Sequence, residues 1–215
     1  MTKWFLLLLV VTLAAPVAFG QNEPTRYEFY GGYAYQRAMN NADTFDQNGR
    51  ATLNVAGAAV PVDLAQRAEN YHGFTAEFNQ NVTRHIGLVT SVTGTYSKAP
   101  YRSAVTGNQL NASASRYDVM FGPRYNLRMG TFTPFAEALF GFEHMRVKFD
   151  QQLSNSPKAD TAFAMAFGGG LDIHVAEHID VRAIQADYVP TFYNGTGQPN
   201  YRLGAGVKVK FGQDP

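Results

Sequence analysis

The last extended segment of the chain, residues 201–211, alternates strictly between two kinds of side chain. Its odd positions are Tyr201, Leu203, Ala205, Val207, Val209 and Phe211, and its even positions are Arg202, Gly204, Gly206, Lys208 and Lys210. Successive side chains of a β-strand point to opposite faces, so a period of two predicts a strand with one oily face and one charged face. The fold must therefore give the first face an apolar environment and the second face water or counter-charges.

Residues 1–20 have the three-part layout of a secretory signal peptide. Lys3 supplies the positive charge, a long apolar run follows it, and a small-residue site ends at Gly20. We expect cleavage before Gln21, which leaves residues 21–215 as one mature domain. The alternative is a retained membrane anchor, although the strongly apolar part is shorter than the roughly 20 residues that a spanning helix needs.

Composition excludes several function classes. Removal of residues 1–20 takes away Lys3 and no acid, so the 18 Lys and Arg residues fall to 17, against 17 Asp and Glu. A neutral chain without a basic run lacks the charge that binds phosphates, and we expect no nucleic-acid partner. The chain has no cysteine, so disulfides cannot stabilise it after export. No second apolar run reaches helix-spanning length, so a membrane-embedded mature chain would have to use strands.

Eight segments alternate as candidate strands, each with about the 9 to 11 residues of a tilted membrane strand. They lie near residues 27–35, 71–79, 86–96, 116–125, 136–143, 163–173, 182–188 and 201–211. In the seventh segment, the alternation does not settle which residues face outward. Taking Ile184 and Tyr188 as outward makes Gln185 inward and leaves Arg182 outward at the rim.

The connections between these segments alternate in length. Residues 38–69 and 97–113 form long connections, whereas residues 80–84 and 126–131 form short ones. A β-sandwich has no structural reason to alternate long and short connections in this way. Long loops on one side and tight turns on the other are typical of an outer-membrane barrel.

Three stretches, residues 168–172, 185–188 and 202–212, resemble the small outer-membrane β-barrel family related to the transmembrane domain of outer-membrane protein A. The resemblance covers nearly the whole mature chain. It implies an all-β fold, an eight-stranded antiparallel up-and-down transmembrane β-barrel, surrounded by lipid in the bacterial outer membrane. No peptidoglycan-binding domain follows in this sequence, so we do not expect cell-wall anchoring.

The resemblance also implies folding by the outer-membrane assembly machinery. In this family the machinery recognises a C-terminal strand of the form Gly-x-x-apolar-x-Phe. Gly206, Val209 and Phe211 match that form, although residues 212–215 follow the aromatic residue.

Candidate catalytic and metal motifs are weak. Residues 174–178, His-Val-Ala-Glu-His, fit the His-x-x-Glu-His pattern of one class of zinc peptidase, which requires a helix. The flanks are strand-like, so we interpret this segment as a tight turn. For a hydrolase, His72 lies near Glu77 and His144 follows Glu143, but spacing does not bring a serine to either pair. We expect no enzyme activity, no cofactor and no metal.

The charged residues on the second face of the strands form a set that we assign to the barrel lumen. This set is Glu28, Glu77, Arg116, Asp118, Arg124, Glu137, Glu143, Asp172, Asp187, Arg202, Lys208 and Lys210. An isolated buried ion is very costly, and an eight-stranded interior is only just wide enough for its own side chains. We therefore expect a lumen plugged by ion pairs and a structural or surface-interaction role. The loops, residues 38–69 foremost, would contact an extracellular partner.

Two other functions stay open at this point. One is a narrow or gated solute pore, in which the pairing of Glu137 or Arg202 controls conductance. The other is a soluble lipocalin-like barrel that binds an apolar ligand, which requires apolar side chains inside and charges outside. The abundance of small and charged residues on one face favours that face as the cramped interior.

Overall fold

The computed structural model describes residues 25–40, 50–55, 58–63, 67–102, 109–149, 158–193 and 196–212. Its strands are β1 (Tyr27–Asn40), β2 (Arg50–Val55), β3 (Ala58–Asp63), β4 (Arg67–Asn81), β5 (Ile86–Arg102), β6 (Gln109–Asn126), β7 (Phe132–Phe149), β8 (Lys158–Ala176), β9 (Ile179–Tyr188), β10 (Thr191–Tyr193), β11 (Thr196–Gln198) and β12 (Asn200–Phe211). No helix within these ranges is long and apolar enough to cross a membrane. The predicted signal peptide, residues 1–20, lies outside them.

Eight of these strands close into an antiparallel barrel. Their order around the barrel is β1, β4, β5, β6, β7, β8, β9 and β12, and β12 pairs with β1 so that Tyr27 lies opposite Phe211. Within the described residues, each of the eight barrel strands pairs with a neighbour on both sides, as a sheet that spans a membrane requires. The predicted eight-stranded up-and-down barrel is confirmed.

The two rims of the barrel differ in the length of their connections. At one rim, which we call the turn rim, short turns join β4 to β5, β6 to β7 and β8 to β9. At the other, the loop rim, β2 and β3 form a separate hairpin within the first long connection. The hairpin of β10 and β11 lies at this end too and pairs with β8. The predicted alternation of long and short connections is therefore present.

The strands extend further toward the loop rim than the sequence predicts. Pairing between β5 and β6 continues to Arg102 and Gln109, within the predicted loop 97–113. Pairing between β1 and β4 likewise reaches Asn40 and Arg67. Backbone groups that continue to pair are satisfied without further burial of apolar surface, so the ladders extend past the apolar belt.

The barrel is polar inside and apolar outside. Large apolar side chains such as Phe29, Phe121 and Phe142 are exposed on the outer wall, whereas charged side chains are buried in the lumen. This polarity suits lipid outside the barrel. It is the reverse of what a lipocalin-like binder needs, so that alternative is wrong.

A β-bulge changes the phase of β9. Ala183 and Ile184 are both exposed although they are adjacent, and the register shifts so that Leu171 pairs with Ile184 and Asp172 with Arg182. The extra residue reverses the alternation below it. Arg182 therefore points into the lumen, and the prediction that it faces outward at the rim is wrong.

Candidate functional site: the charged lumen

The barrel interior is lined with ionisable side chains. The buried carboxylates among the described residues are Glu28, Glu69, Glu77, Asp118, Glu137, Glu143, Asp172, Asp180 and Asp187, and the buried cations are Arg116, Arg124, Arg128, Arg182, Arg202, Lys208 and Lys210. Every residue that the sequence assigned to the lumen is in this buried set. Three of the residues that sequence reasoning missed, Arg128, Asp180 and Arg182, also form ion pairs there.

Arg182 lies at the centre of the largest cluster. Its Nη1 is 2.7 Å from Oε2 of Glu77 on β4, and its Nε is 2.8 Å from Oδ1 of Asp172 on β8. Arg124 forms ion pairs with both Glu77 and Glu137. Two arginines therefore share Glu77, which joins β4, β6, β7, β8 and β9 through one connected set of charges.

Aromatic rings cover both faces of this arginine. The Arg182 guanidinium lies 4.0 Å from the ring centroid of Tyr30 and 4.3 Å from that of Phe135. Glycines leave room for these rings, since a Cβ at Gly206 would lie 2.9 Å from Tyr30 and one at Gly170 would lie 2.8 Å from Phe135. The interior glycines thus accommodate the rings that hold the central cation.

A second cluster spans the barrel diameter nearer the loop rim. Nη1 of Arg202 on β12 lies 3.2 Å from Oδ1 of Asp118 on β6, which is the strand directly opposite. Nε of Arg202 is also 3.0 Å from Asp187. On another diameter, the Gln36 amide donates to Glu143 at 3.5 Å. Side chains that meet from opposite walls occupy the lumen.

Lys208 organises a third cluster at the turn rim. Its Nζ lies 3.2 Å from Glu28, 2.8 Å from Asp172 and 3.1 Å from Asp180. Arg128, in the turn after β6, lies 3.2 Å from Glu28 and is buried as well. Carboxylates and cations are therefore interleaved at this end also.

The zinc-like motif, residues 174–178, is not helical: residues 174–176 end β8, and the tight turn predicted for the whole motif is limited to residues 177–178. His174 points inward, with Nδ1 2.9 Å from Oδ1 of Asp180 and 2.9 Å from Nζ of Lys210. His178 is exposed in the turn. Across the described ranges, no three His, Cys, Asp or Glu side chains are grouped so that they could hold a metal ion.

The two histidine and glutamate pairs weighed as hydrolase candidates are separated by the sheet. His72 is exposed on the outer wall and bonds to the Tyr33 hydroxyl, whereas Glu77 is buried. His144 lies 2.8 Å from the Thr161 hydroxyl, whereas Glu143 faces the lumen. The barrel wall therefore stands between the members of each pair.

The residues that match the assembly signal lie on the last strand. Gly206 faces the interior beside Tyr30, while Val209 and Phe211 are exposed on the outer wall. The Phe211 ring centroid is 5.9 Å from that of Tyr27, across the seam that closes the barrel. The signal thus lies on the strand that pairs with β1.

Comparisons with known proteins agree with this architecture. A family model described as the outer membrane protein beta-barrel domain matches residues 5–212. The solved structure of the outer membrane protein OprG from Pseudomonas aeruginosa is similar, with 12% sequence identity, a TM-score of 0.56, and coverage of 89% of this chain and 98% of that chain. No match was found among curated proteins.

Two further solved structures are similar. Neisserial surface protein A has 13% identity and a TM-score of 0.55, with coverage of 87% of this chain and 98% of that chain. Ail, the attachment invasion locus protein of Yersinia pestis, has 18% identity and a TM-score of 0.51, with coverage of 85% of this chain and 97% of that chain. That structure of Ail is a complex with the heparin analogue sucrose octasulfate. At these identities the similarity shows a shared fold.

Proposed function

Because this chain belongs to the outer membrane protein beta-barrel domain family, we propose that it is a closed, non-enzymatic barrel with a structural or surface-interaction role in the bacterial outer membrane. The contact between Arg202 and Asp118, on directly opposite strands, carries the proposal of a closed lumen. Together with the Gln36 to Glu143 contact, it supports an interior filled by its own side chains.

Energetics support closure by ion pairs. Removing one partner of a buried pair leaves an uncompensated charge and costs about 3 to 5 kcal/mol. Arg182 has two carboxylate partners and Lys208 has three. Opening a path through such a set requires several of these contacts to break together, so spontaneous conduction would be rare.

The surface role rests on the loop rim, which is the extracellular rim of a barrel of this family. We propose that the β2 to β3 hairpin and the neighbouring connections contact an extracellular partner. Parts of the predicted contact segment 38–69, namely residues 41–49, 56–57 and 64–66, lie outside the described residues. A rigid barrel fixes the ends of such loops and leaves their sequence free.

We propose that residues 1–20 are removed before Gln21, so that residues 21–215 are the mature domain. We also propose that the outer-membrane assembly machinery recognises Gly206, Val209 and Phe211.

Planar-bilayer recording tests the closed lumen. We expect the wild-type protein, checked for a heat-dependent shift in electrophoretic mobility, to show no steady single-channel conductance. Arg202→Ala removes the contact with Asp118 across the barrel and should produce detectable channel openings. Arg84→Ala, at an exposed turn position, should show no conductance. Steady conductance in the wild type would contradict closure and favour the narrow pore.

A further inference from the structure

A groove lies on the outer wall of the barrel, away from the lumen, and is lined by charged and hydroxyl side chains together with two tyrosine rings. It has a volume of about 430 Å³ and is formed by β5, β6 and β7. Its lining includes Lys98, Ser113, Ser115, Tyr117, His144 and Arg146. Toward the turn rim, the outward side chains of the same strands are mostly aromatic or aliphatic, such as Val92, Val119 and Phe142, so the charged and hydroxyl side chains of the groove differ from the belt below it.

The groove lies at the height of the lipid head groups. On β5, eleven residues separate the turn rim from the aromatic belt, counted from Ile86 to Tyr96 inclusive. A tilted strand crosses the hydrocarbon core in about 9 to 11 residues. Lys98, the next outward position after Tyr96, is therefore beyond the acyl chains on the extracellular side.

The neighbouring strands change character at the same level. On β6 the outward positions pass from Tyr117 to Ser115, and on β7 they pass from Phe142 to His144. The register pairs Tyr117 with His144, which places the two transitions side by side. The groove thus begins where the apolar belt ends.

Two tyrosines form the lower boundary of the groove. The Tyr96 and Tyr117 hydroxyls are 2.9 Å apart, and their rings meet edge to face at 5.8 Å. Tyrosine rings at a membrane interface keep the apolar body in the acyl region and the hydroxyl among polar groups. The pair marks the boundary between acyl chains and head groups.

The charge of the groove is positive. Lys98 and Arg146 are exposed, and neither forms an ion pair within the part of the chain that the structure describes. The register brings Arg146 on β7 opposite Ser115 on β6, and Lys98 on β5 opposite Ser113 on β6. Hydroxyl donors therefore lie between two cations, an arrangement that suits a phosphate group.

From these observations we infer that this groove binds a phosphorylated head group of the lipid in the outer leaflet. Lys98 and Arg146 neutralise the phosphate, Ser113 and Ser115 donate hydrogen bonds, and the acyl chains lie against the apolar belt below Tyr96. Basic clusters at this depth attract anionic lipid head groups. The groove is on the outer wall, so lipid binding there does not depend on whether the lumen conducts.

Binding of lipid A in detergent micelles tests the inference on the full-length exported protein. The probes are bisphosphorylated lipid A, the same lipid without phosphates, and inorganic phosphate. We expect the wild type to bind the bisphosphorylated form at least tenfold more tightly than either of the others. Lys98→Gln combined with Arg146→Gln should weaken that binding by roughly tenfold or more, since each cation near a lipid surface contributes to the attraction of anionic lipid.

The matched control removes the same charge from elsewhere on the outer surface. Arg37→Gln combined with Arg84→Gln changes two exposed cations outside the groove and should leave affinity within twofold. Equal losses in both double variants would overturn the inference, because only overall charge would then matter. Equal binding of phosphate-free lipid A, or of inorganic phosphate, would also overturn it.

A second variant keeps both cations in place. Ser115→Glu adds a carboxylate opposite Arg146 and should weaken binding of bisphosphorylated lipid A about as much as the double variant does. Ser115→Gln, of the same size without charge, should retain more of the affinity. All variants should show the heat-dependent mobility shift of the wild type. Unchanged affinity in Ser115→Glu would overturn the inference.

Discussion

The guanidinium of Arg182 lies 4.0 Å from the ring centroid of Tyr30, deep in the barrel lumen. Both residues are almost fully inaccessible to solvent, so the cation and the ring interact away from water, where such contacts are strongest. The planar group also pairs through its edge with Glu77 and Asp172. Stacking on a face while bonding through an edge is specific to arginine, so we expect this position to depend on that side chain.

Arg182→Met should lower the free energy of unfolding by about 3 kcal/mol, the low end for a broken buried pair, because Glu77 and Asp172 each lose one cation but keep Arg124 and Lys208, respectively. Urea unfolding in lipid vesicles, followed by the heat-dependent mobility shift, measures this loss. Arg84→Met is the control, since Arg84 is exposed in a turn and should change stability by no more than about 0.5 kcal/mol. A loss of the same size in both variants would contradict a central role for Arg182.

The sequence was sufficient to predict the barrel and the direction of most side chains. Alternation in residues 201–211 predicts two faces, and the structure buries Arg202, Lys208 and Lys210 while exposing Phe211. The size of the side chains indicates which face points into the lumen, since small and charged residues suit a narrow interior. These conclusions depend only on local periodicity, which a single strand contains.

The phase of β9 could not be predicted in the same way. Residues 179–182 alternate correctly by themselves, as do residues 184–188, but the bulge at Ala183 and Ile184 joins two opposite phases. Extending one phase across the bulge placed Arg182 on the wrong face. Two adjacent apolar residues in an alternating strand were the available signal.

The ion-pair partner of each charged side chain in the lumen could not be predicted from the sequence either. Whether Arg202 meets Asp118 or Glu137 depends on the stagger of strands around the closed barrel. Local alternation contains no information about that stagger. The interior positions could therefore be assigned from the sequence, but the ion pairs could not.

Adjacent glycines on β1 should respond differently to alanine. A Cβ at Gly32 would lie 2.5 Å from the Ala205 carbonyl oxygen and 2.2 Å from the Tyr30 hydroxyl, whereas a Cβ at Gly31 meets nothing within 4 Å. Gly32→Ala should therefore cost about 1 to 3 kcal/mol through overpacking, and Gly31→Ala should be neutral or stabilising by up to about 1 kcal/mol. The two variants are compared by their urea unfolding midpoints in lipid vesicles. Equal midpoints would contradict the tight interior packing at Gly32.

The contact across the diameter should appear as an energetic coupling. In a double-mutant cycle, Arg202→Gln and Asp118→Asn should be non-additive by about 1 to 3 kcal/mol, because the two side chains are in direct contact. A cycle between Arg202→Gln and Arg84→Gln should be additive within about 0.5 kcal/mol, since distant sites act independently. Urea unfolding of the four proteins in each cycle provides both values. Additivity in the first cycle would mean that the diametric pair contributes nothing specific to closure.

The last strand allows recognition during assembly to be separated from stability. Phe211 and Phe29 are both outward phenylalanines near the turn rim, with exposed fractions of 43% and 49%, so truncating either should remove similar lipid contact. If the assembly machinery recognises Phe211, Phe211→Ala should reduce the heat-modifiable protein in isolated outer membranes severalfold, whereas Phe29→Ala should not. Purified protein refolded into lipid vesicles without the machinery is the control, and both variants should fold there to the same extent. If Phe211→Ala also fails in vesicles while Phe29→Ala folds, the defect lies in the seam between β1 and β12, where Phe211 contacts Tyr27, and the assembly signal is wrong.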